Sequence, residues 1–222
     1  MPRSPSSEAL PSDLAVALQS ALSSERSAKA KAILTGAFLV FTRQGYSAAT
    51  MDRIAAAAKV SKTTLYSHFP DKEGLFTALI QDLTQANRQL VFRLLTSADL
   101  QAPPDQVLRQ MARQIINNIS SNPPLLTLVQ LIIGESERFP ELGKTFVREI
   151  QKPILEQLTL YLAAQRQLPL ADPAMAARVF VGTLVHYLVV QKLMHGDEII
   201  PIERDYLVEG LVGLLIPMQA PG

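Results

Sequence analysis

Residues 50–72, TMDRIAAAAKVSKTTLYSHFPDK, constrain the fold more than any other stretch of the chain. Thr50 offers an N-cap hydroxyl to a short helix whose inner face is Met51, Ile54, Ala55 and Ala58. The alanines allow a second helix to cross closely. Lys59 and Val60 form a turn, Ser61 caps the next short helix, and Leu65 with Phe69 anchors it from behind. Pro70 ends it, because the residue before a proline is pushed out of the α region. Lys62, Thr63, Thr64, Tyr66 and His68 surround the apolar anchors. A short helix held from behind, with small polar and basic groups in front, suits the major groove of DNA. The spacing therefore predicts a helix-turn-helix.

The flanking sequence predicts an all-α chain. Ile33, Leu34, Ala37, Phe38 and Phe41 recur at helical spacing between Arg26 and Gln44. Gly45 follows, where glycine suits a left-handed cap, and Tyr46 is placed to fold back onto the last turn. Asp71 caps a further helix expected to run from Lys72 toward Thr96. Beyond it, prolines mark the helix starts. Segments open at Pro103/Pro104, Pro123/Pro124, Pro140, Pro173 (after the cap Asp172) and Pro201. Pro153 lies inside the pattern running from Pro140 to about Gln167, and is expected to kink or split it. No alternating strand pattern, hairpin signal or internal repeat occurs. The expected architecture is an N-terminal three-helix helix-turn-helix head plus a larger α-helical domain. Its divisions are a flexible leader at 1–24, the head at 25–72, and the larger helical domain at 73–222. The leader carries Leu14, Leu18, Ala21 and Leu22 at helical spacing, but a dozen residues do not hold a helix alone in water, so it is expected to be mostly disordered, with a short docked helix as the alternative.

Charge distribution points the same way. Between Glu25 and Glu73 eight basic residues face four acidic ones, a net +4, whereas residues 74–222 carry 12 basic against 14 acidic groups. Only the small N-terminal part is thus electrostatically suited to phosphates. Cysteine is absent, which excludes disulfides and thiolate metal sites and favours a reducing compartment. Three histidines without a His-x-x-x-His pair give no metal site, and no cofactor is expected. The apolar runs Leu125–Ile133 and Val179–Val190 are shorter than the roughly 20 residues of a membrane span. With no secretory signal pattern either, the expected location is cytoplasmic, with no membrane partner.

The stretch AILTGAFLVFTRQGYSAATMDRIAAAAKVSKTTLYSHFPDKEGLF, within residues 27–80, resembles the TetR (tetracycline-repressor-like) family of bacterial transcriptional regulators almost throughout. The resemblance rests on the apolar first helix, the Gly-Tyr turn, the IAxxAxV helix, the SKTTLYSHF recognition helix and the PDKEGLF entry. Residues 135–142, ESERFPEL, further resemble a phrase of many regulatory domains of the family, most similar to the branch with an AefR-like C-terminal domain. One departure is Lys59, at the turn position where the family usually has glycine. A left-handed side chain there costs about 1 kcal/mol.

The resemblance implies contacts to double-stranded operator DNA from Thr50, Ser61, Lys62, Thr63, Thr64, Tyr66, His68 and Lys72. Thr50 is placed for a backbone phosphate, and Lys62, Thr63 and Thr64 for base edges. Tyr66 and His68 would grip phosphate or the groove edge, and Lys72 a neighbouring phosphate. It also implies that 73–222 is a regulatory, ligand-binding and dimerisation domain, and that the protein is a homodimer paired through the helix 173–195 and the final helix. The expected interface is Val179, Thr183, His186, Tyr187, Val190, Leu207 and Leu211; read alone, His186 suits a buried, hydrogen-bonded site at a helix interface. Asn117, Asn118, Gln130, Glu135 and Arg138 are polar residues on otherwise apolar helices, each more simply explained by solvent or internal hydrogen bonds than by a ligand. The function this suggests is a repressor of a pseudo-palindromic operator, released by a small apolar or amphipathic effector that moves the 72–96 helix as a lever. Two other classes are weaker. An enzyme would need a phosphate loop, a nucleophile–base pair or a metal cluster, none of which the sequence offers. An interaction protein using the head as a docking module would not need Lys62 and Thr64.

Overall fold

A computed structural model describes residues 11–22, 26–85, 89, 101–166, 168 and 170–216. The described residues are helical and contain no strand. The chain divides into two compact units: residues 1–83 with 122–142, and residues 84–121 with 143–222. The helix expected over 72–96 is described as a helix over Lys72–Leu83, and its remainder lies mostly outside the described residues.

The first unit contains α1 (Ser12–Ala21), α2 (Ala28–Ala48), α3 (Met51–Ala57), α4 (Lys62–His68), α5 (Lys72–Leu83) and α7 (Pro123–Glu135). Within the stretch expected as a leader, Ser12–Ala21 form α1, the short docked helix that its apolar spacing allows. Alone it would be too short to persist, but its contacts with α2 and α7 leave Leu18 and Leu22 buried. Ser27 caps α2 by accepting from the Ala30 amide. Helix α2 bends at Gly45, whose φ of 77° and ψ of 164° lie in a region that only glycine occupies readily. The bend turns Tyr46 back, its ring 5.3 Å from Phe41 and 5.5 Å from both Phe76 and Phe139. Burial and the nearby Glu73 and Asp71 raise the Tyr46 hydroxyl to about 12, so it stays neutral. At the start of α2, Arg26 donates through Nε to both carboxylate oxygens of buried Asp82, at 2.9 and 2.7 Å.

The second unit is built from α6 (Pro104–Ser120), α9 (Lys152–Ala164), α10 (Pro173–Leu188) and α11 (Arg204–Leu215). Its core joins Leu108, Met111 and Ile115 of α6 to Leu158 and Tyr161 of α9, Phe180 and Leu184 of α10, and Val208 and Val212 of α11. Ahead of α9, α8 (Pro140–Phe146) runs through a π-helical turn at Val147–Gln151. Pro153 follows immediately, so the expected disruption takes the form of a widened turn that absorbs the missing donor without breaking the run. Helix α10 is capped by Asp172, which accepts from the amides of Ala174 and Met175. It ends in a second π turn, Val189–Leu193. The left-handed residue beyond is His195 (φ 55°) and not Gly196. Gly196 is needed for space, since a Cβ there would lie 2.7 Å from the carbonyl oxygen of Val190. The whole run Pro173–Leu193 reaches 21 residues with mean hydropathy 1.5, long and apolar enough by those measures to cross a membrane. Much of that hydropathy belongs to side chains packed into the unit's own core, Phe180 and Leu184 among them.

Helix α11 is also tied to α6 by charge. Arg109 Nε donates to Glu209 at 2.7 Å, and its Nη1 donates to Asp105. Arg113 reaches Asp205 at 3.1 Å and Glu209 at 2.8 Å, and Arg204 donates to Asn117 Oδ1 at 2.7 Å. Hydrogen bonds from Arg204 and then Arg113 hold the Asp205 carboxyl below the usual carboxylate range. A group depressed in the folded state contributes stability above its unfolded pKa and loses it as pH falls through the folded value. Arg113→Ala is therefore expected to move acid unfolding of the second unit to higher pH by a fraction of a pH unit, and to narrow the gap at high salt. Helical circular dichroism followed down to strong acid checks this, and an unchanged midpoint would remove the network's role.

Candidate nucleic-acid interface

The head is positioned from within outward. Helices α2 and α3 cross where Gly36 meets Ala58, and a Cβ on Gly36 would lie 2.8 Å from the Ala58 amide nitrogen. Ile54 and Ala55 of α3 and Leu65 of α4 are buried, and Phe69 closes the end of α4. Thr50 Oγ1 accepts from the Arg53 amide at 3.3 Å. The Arg53 guanidinium donates to Gln44 Oε1 at 2.7 Å and to the Ala48 carbonyl at 2.9 Å, which fixes the α2–α3 corner. Lys59 does adopt the left-handed conformation (φ 55°), so the turn keeps its geometry with a side chain where glycine would cost less. Ser61 Oγ accepts from the Thr64 amide at 3.1 Å and lies 2.9 Å from the Thr64 hydroxyl.

The structure separates the eight expected DNA contacts into groups. Lys62, Thr63, Tyr66 and His68 are exposed on α4, with Tyr66 49% accessible. Thr50 and Ser61 are exposed too, but their hydroxyls serve as caps. Thr64 is half-buried, and its hydroxyl is shared with Ser61. Lys72 is placed differently from a free phosphate ligand. Its ammonium donates to the carbonyls of Tyr46 (2.8 Å) and Ala49 (3.1 Å) and lies 4.3 Å from the Tyr46 ring centroid. Burial lowers its pKa, while Glu135 acts in the opposite direction. Two of its three donors thus close the turn between α2 and α3. Two residues absent from the sequence-based set also shape this face. Ser67 is exposed with its hydroxyl donating to the Thr64 carbonyl, and Asp52 pairs with Lys62 at 2.7 Å. The pairing spans a turn whose geometry no local pattern reveals.

The expected interface residues divide as well. Val179 and His186 are exposed, and Thr183, Val190 and Leu207 half-buried. Tyr187 and Leu211 pack into the protomer's own core, 7% and 4% accessible, which leaves little of either open to a partner. His186 is likewise outside and not at a buried helix interface. Helix α10 is apolar on two sides, so its sequence does not set its rotation; contact with α6, α9 and α11 does. The outward apolar residues are instead Met175, Val179 and Val185 on α10, with Tyr206 and Leu214 on α11. Among the residues considered for a ligand, Gln130 and Arg138 are exposed and Asn117 is bound to Arg204. A cleft of about 480 Å³ opens beside His186, Tyr187, Gln191, Ile202, Glu203 and Tyr206.

A capped helix pair, crossed closely behind and lined with a cation, a hydroxyl and an aromatic in front, defines a helix-turn-helix DNA-binding protein. The family model for bacterial regulatory proteins of the tetR family matches residues 33–79, and that for the AefR-like transcriptional repressor C-terminal domain matches residues 106–216. The chain belongs to the TetR family of bacterial transcriptional regulators, and its C-terminal domain is of the AefR-like type. It is 42% identical over 57 residues to the HTH-type transcriptional regulator RutR of Escherichia coli strain K12, a match covering 26% of this chain and 27% of RutR. Thus the match spans little more than a quarter of the length of the first curated relatives. Among solved structures it is similar to a TetR-family regulator from Mesorhizobium loti (26% identity, 84% of this chain and 94% of that one, TM-score 0.65). It is also similar to the flavonoid-responsive regulator FrrA (29% identity, 86% and 98%, TM-score 0.64). These descriptions are of transcription regulators, not of enzymes.

Proposed function

We propose that the protein is a homodimeric repressor that binds a pseudo-palindromic operator and is released by a small apolar or amphipathic effector. The observation that carries the reading is the exposed row Lys62, Thr63, Tyr66 and His68 on a helix anchored behind by Leu65. Lysine donates to guanine O6 and N7, and a threonine methyl meets the methyl of thymine. Thr50, Ser61 and the remaining donor of Lys72 would serve phosphates, which position the helix without reading sequence. One seven-residue helix offers few base contacts. Two copies, one helical turn of DNA apart (about 34 Å), supply two half-sites.

In function, residues 25–72 form the DNA-reading part and residues 73–222 the effector-binding and dimerisation part. The outward faces of α10 and α11 are the surface for the second copy, and the segment 103–170 holds the effector. A flavonoid-responsive relative supports an amphipathic, aromatic class of effector. Release requires the effector to bind the DNA-incompetent conformer more tightly than the competent one, since equal affinity shifts nothing. The setting is the bacterial cytoplasm.

Sedimentation with the duplex from upstream of the protein's own gene, at two salt concentrations, tests the reading. Expected is a dimer whose affinity falls steeply with salt. Lys62→Ala with Thr64→Ala should remove sequence-specific binding while leaving the dimer intact. Unchanged binding in that double variant would favour a docking role for the head over DNA recognition.

A further inference from the structure

Lys62 is the first residue of α4, and its Nζ lies 2.7 Å from Asp52 Oδ2 in the first turn of α3. Both side chains are exposed, at 65% and 60%. An ion pair so open to water contributes little to stability, because solvent screens it and holding two side chains together costs entropy. Its contribution to the fold is therefore small beside the burial of Ile54, Leu65 and Phe69. Its effect falls on binding. An unpaired lysine on this face is a mobile positive charge that gains from any phosphate, and such contacts supply the sequence-independent part of DNA affinity. Paired with Asp52, the ammonium already has an acceptor, so leaving the pair brings a net gain only where a better one waits. Guanine presents two acceptors, O6 and N7, at one edge. The carboxylate also stands among groups that would approach the DNA backbone, where a lysine drawn away from it leaves a bare negative charge facing phosphates. Helix α4 carries no acid in its own first turn, so Asp52 is the counter-charge that the adjoining helix brings to Lys62.

We propose that Asp52 is a specificity-determining positioning residue: it holds Lys62 in place and makes the lysine's engagement conditional on a matching base edge. The proposal rests on the DNA-reading function above, and deepens it by assigning discrimination to a residue that need not touch a base.

The test uses the full-length protein and two fluorescent duplexes: one selected from a random pool by the wild-type protein, and a scrambled duplex of the same composition. Binding is titrated at two salt concentrations for wild type, Asp52→Asn, Asp52→Glu, Lys62→Met and the double variant Asp52→Asn with Lys62→Met. Asp52→Asn is expected to bind the scrambled duplex about tenfold tighter, with a salt slope steeper by about one. Its affinity for the selected duplex should rise much less, so the ratio between the two falls several-fold. Asp52→Glu should keep most of the wild-type ratio. In the Lys62→Met background, Asp52→Asn should leave the ratio unchanged, since the cycle isolates the coupling of the pair. An equal rise on both duplexes would overturn the proposal, reducing Asp52 to general charge repulsion. A ratio that falls as much without Lys62 as with it would overturn it too. Wild-type protein that enriches no duplex from the pool would instead overturn the DNA-reading function, and the proposal with it.

Discussion

Leu65→Ala is expected to destabilise the head by about 2–5 kcal/mol and to abolish sequence-specific DNA binding. Leu65 is fully buried in the middle of α4, which is seven residues long. A helix of that length has no stability of its own, so α4 persists because Leu65 and Phe69 are buried and Ser61 caps its start. Deleting the leucine removes the apolar burial on one side only and leaves a cavity beneath the exposed row. Hydrogen exchange should show lost protection over residues 50–70, while the core of the second unit around Phe180 and Tyr161 keeps its own. Leu65→Met preserves volume and should cost less than about 1.5 kcal/mol, with binding retained. Normal DNA affinity in the alanine variant would show that α4 is not held by this anchor.

The second large effect is expected at Gly36. Its added Cβ would lie 2.8 Å from the Ala58 nitrogen and 2.9 Å from the Ala58 Cβ, so the obstacle includes backbone and cannot simply rotate away. Gly36→Val forces α2 and α3 apart, an overpacking cost of about 1–3 kcal/mol. At about 2–4 °C per kcal/mol for a chain of this size, thermal unfolding should come several degrees earlier. DNA binding should fall further than stability alone explains, because α3 carries Asp52 and is capped by Thr50. The matched control is Gly134→Ala in α7, where a Cβ meets nothing within 4 Å. Helix propensity there favours alanine by up to about 1 kcal/mol, so its unfolding temperature should stay level or rise. A valine at position 36 that behaved like the control would mean that the α2–α3 crossing tolerates wider spacing.

Most helix boundaries were legible because they are local events. Thr50, Ser61 and Asp172 cap the helices that their side chains predict, and each accepts from an amide two or three residues on. Prolines 104, 123, 140 and 173 stand at helix starts, since a first-turn residue needs no amide donor. The last helix was less legible. It begins at Arg204 and not at Pro201, after a 3₁₀ turn at Gly196–Glu198.

The sequence by itself determined the all-α class, the helix-turn-helix and its family, and the lysine, threonine and aromatic composition of the reading helix. The family rests on resemblance; the others depend on steric limits, caps and apolar spacing within a few residues. Tertiary structure alone decided which sides of those helices matter. It buried Tyr187 and Leu211 while turning His186 outward, because a helix apolar on two sides takes its rotation from its neighbours. It held α1 in place through Leu18, diverted Lys72 to the carbonyls of Tyr46 and Ala49, and set Asp52 against Lys62. These contacts join residues 10 to 26 positions apart or separate helices, and their energies arise only once the backbone has brought the groups together.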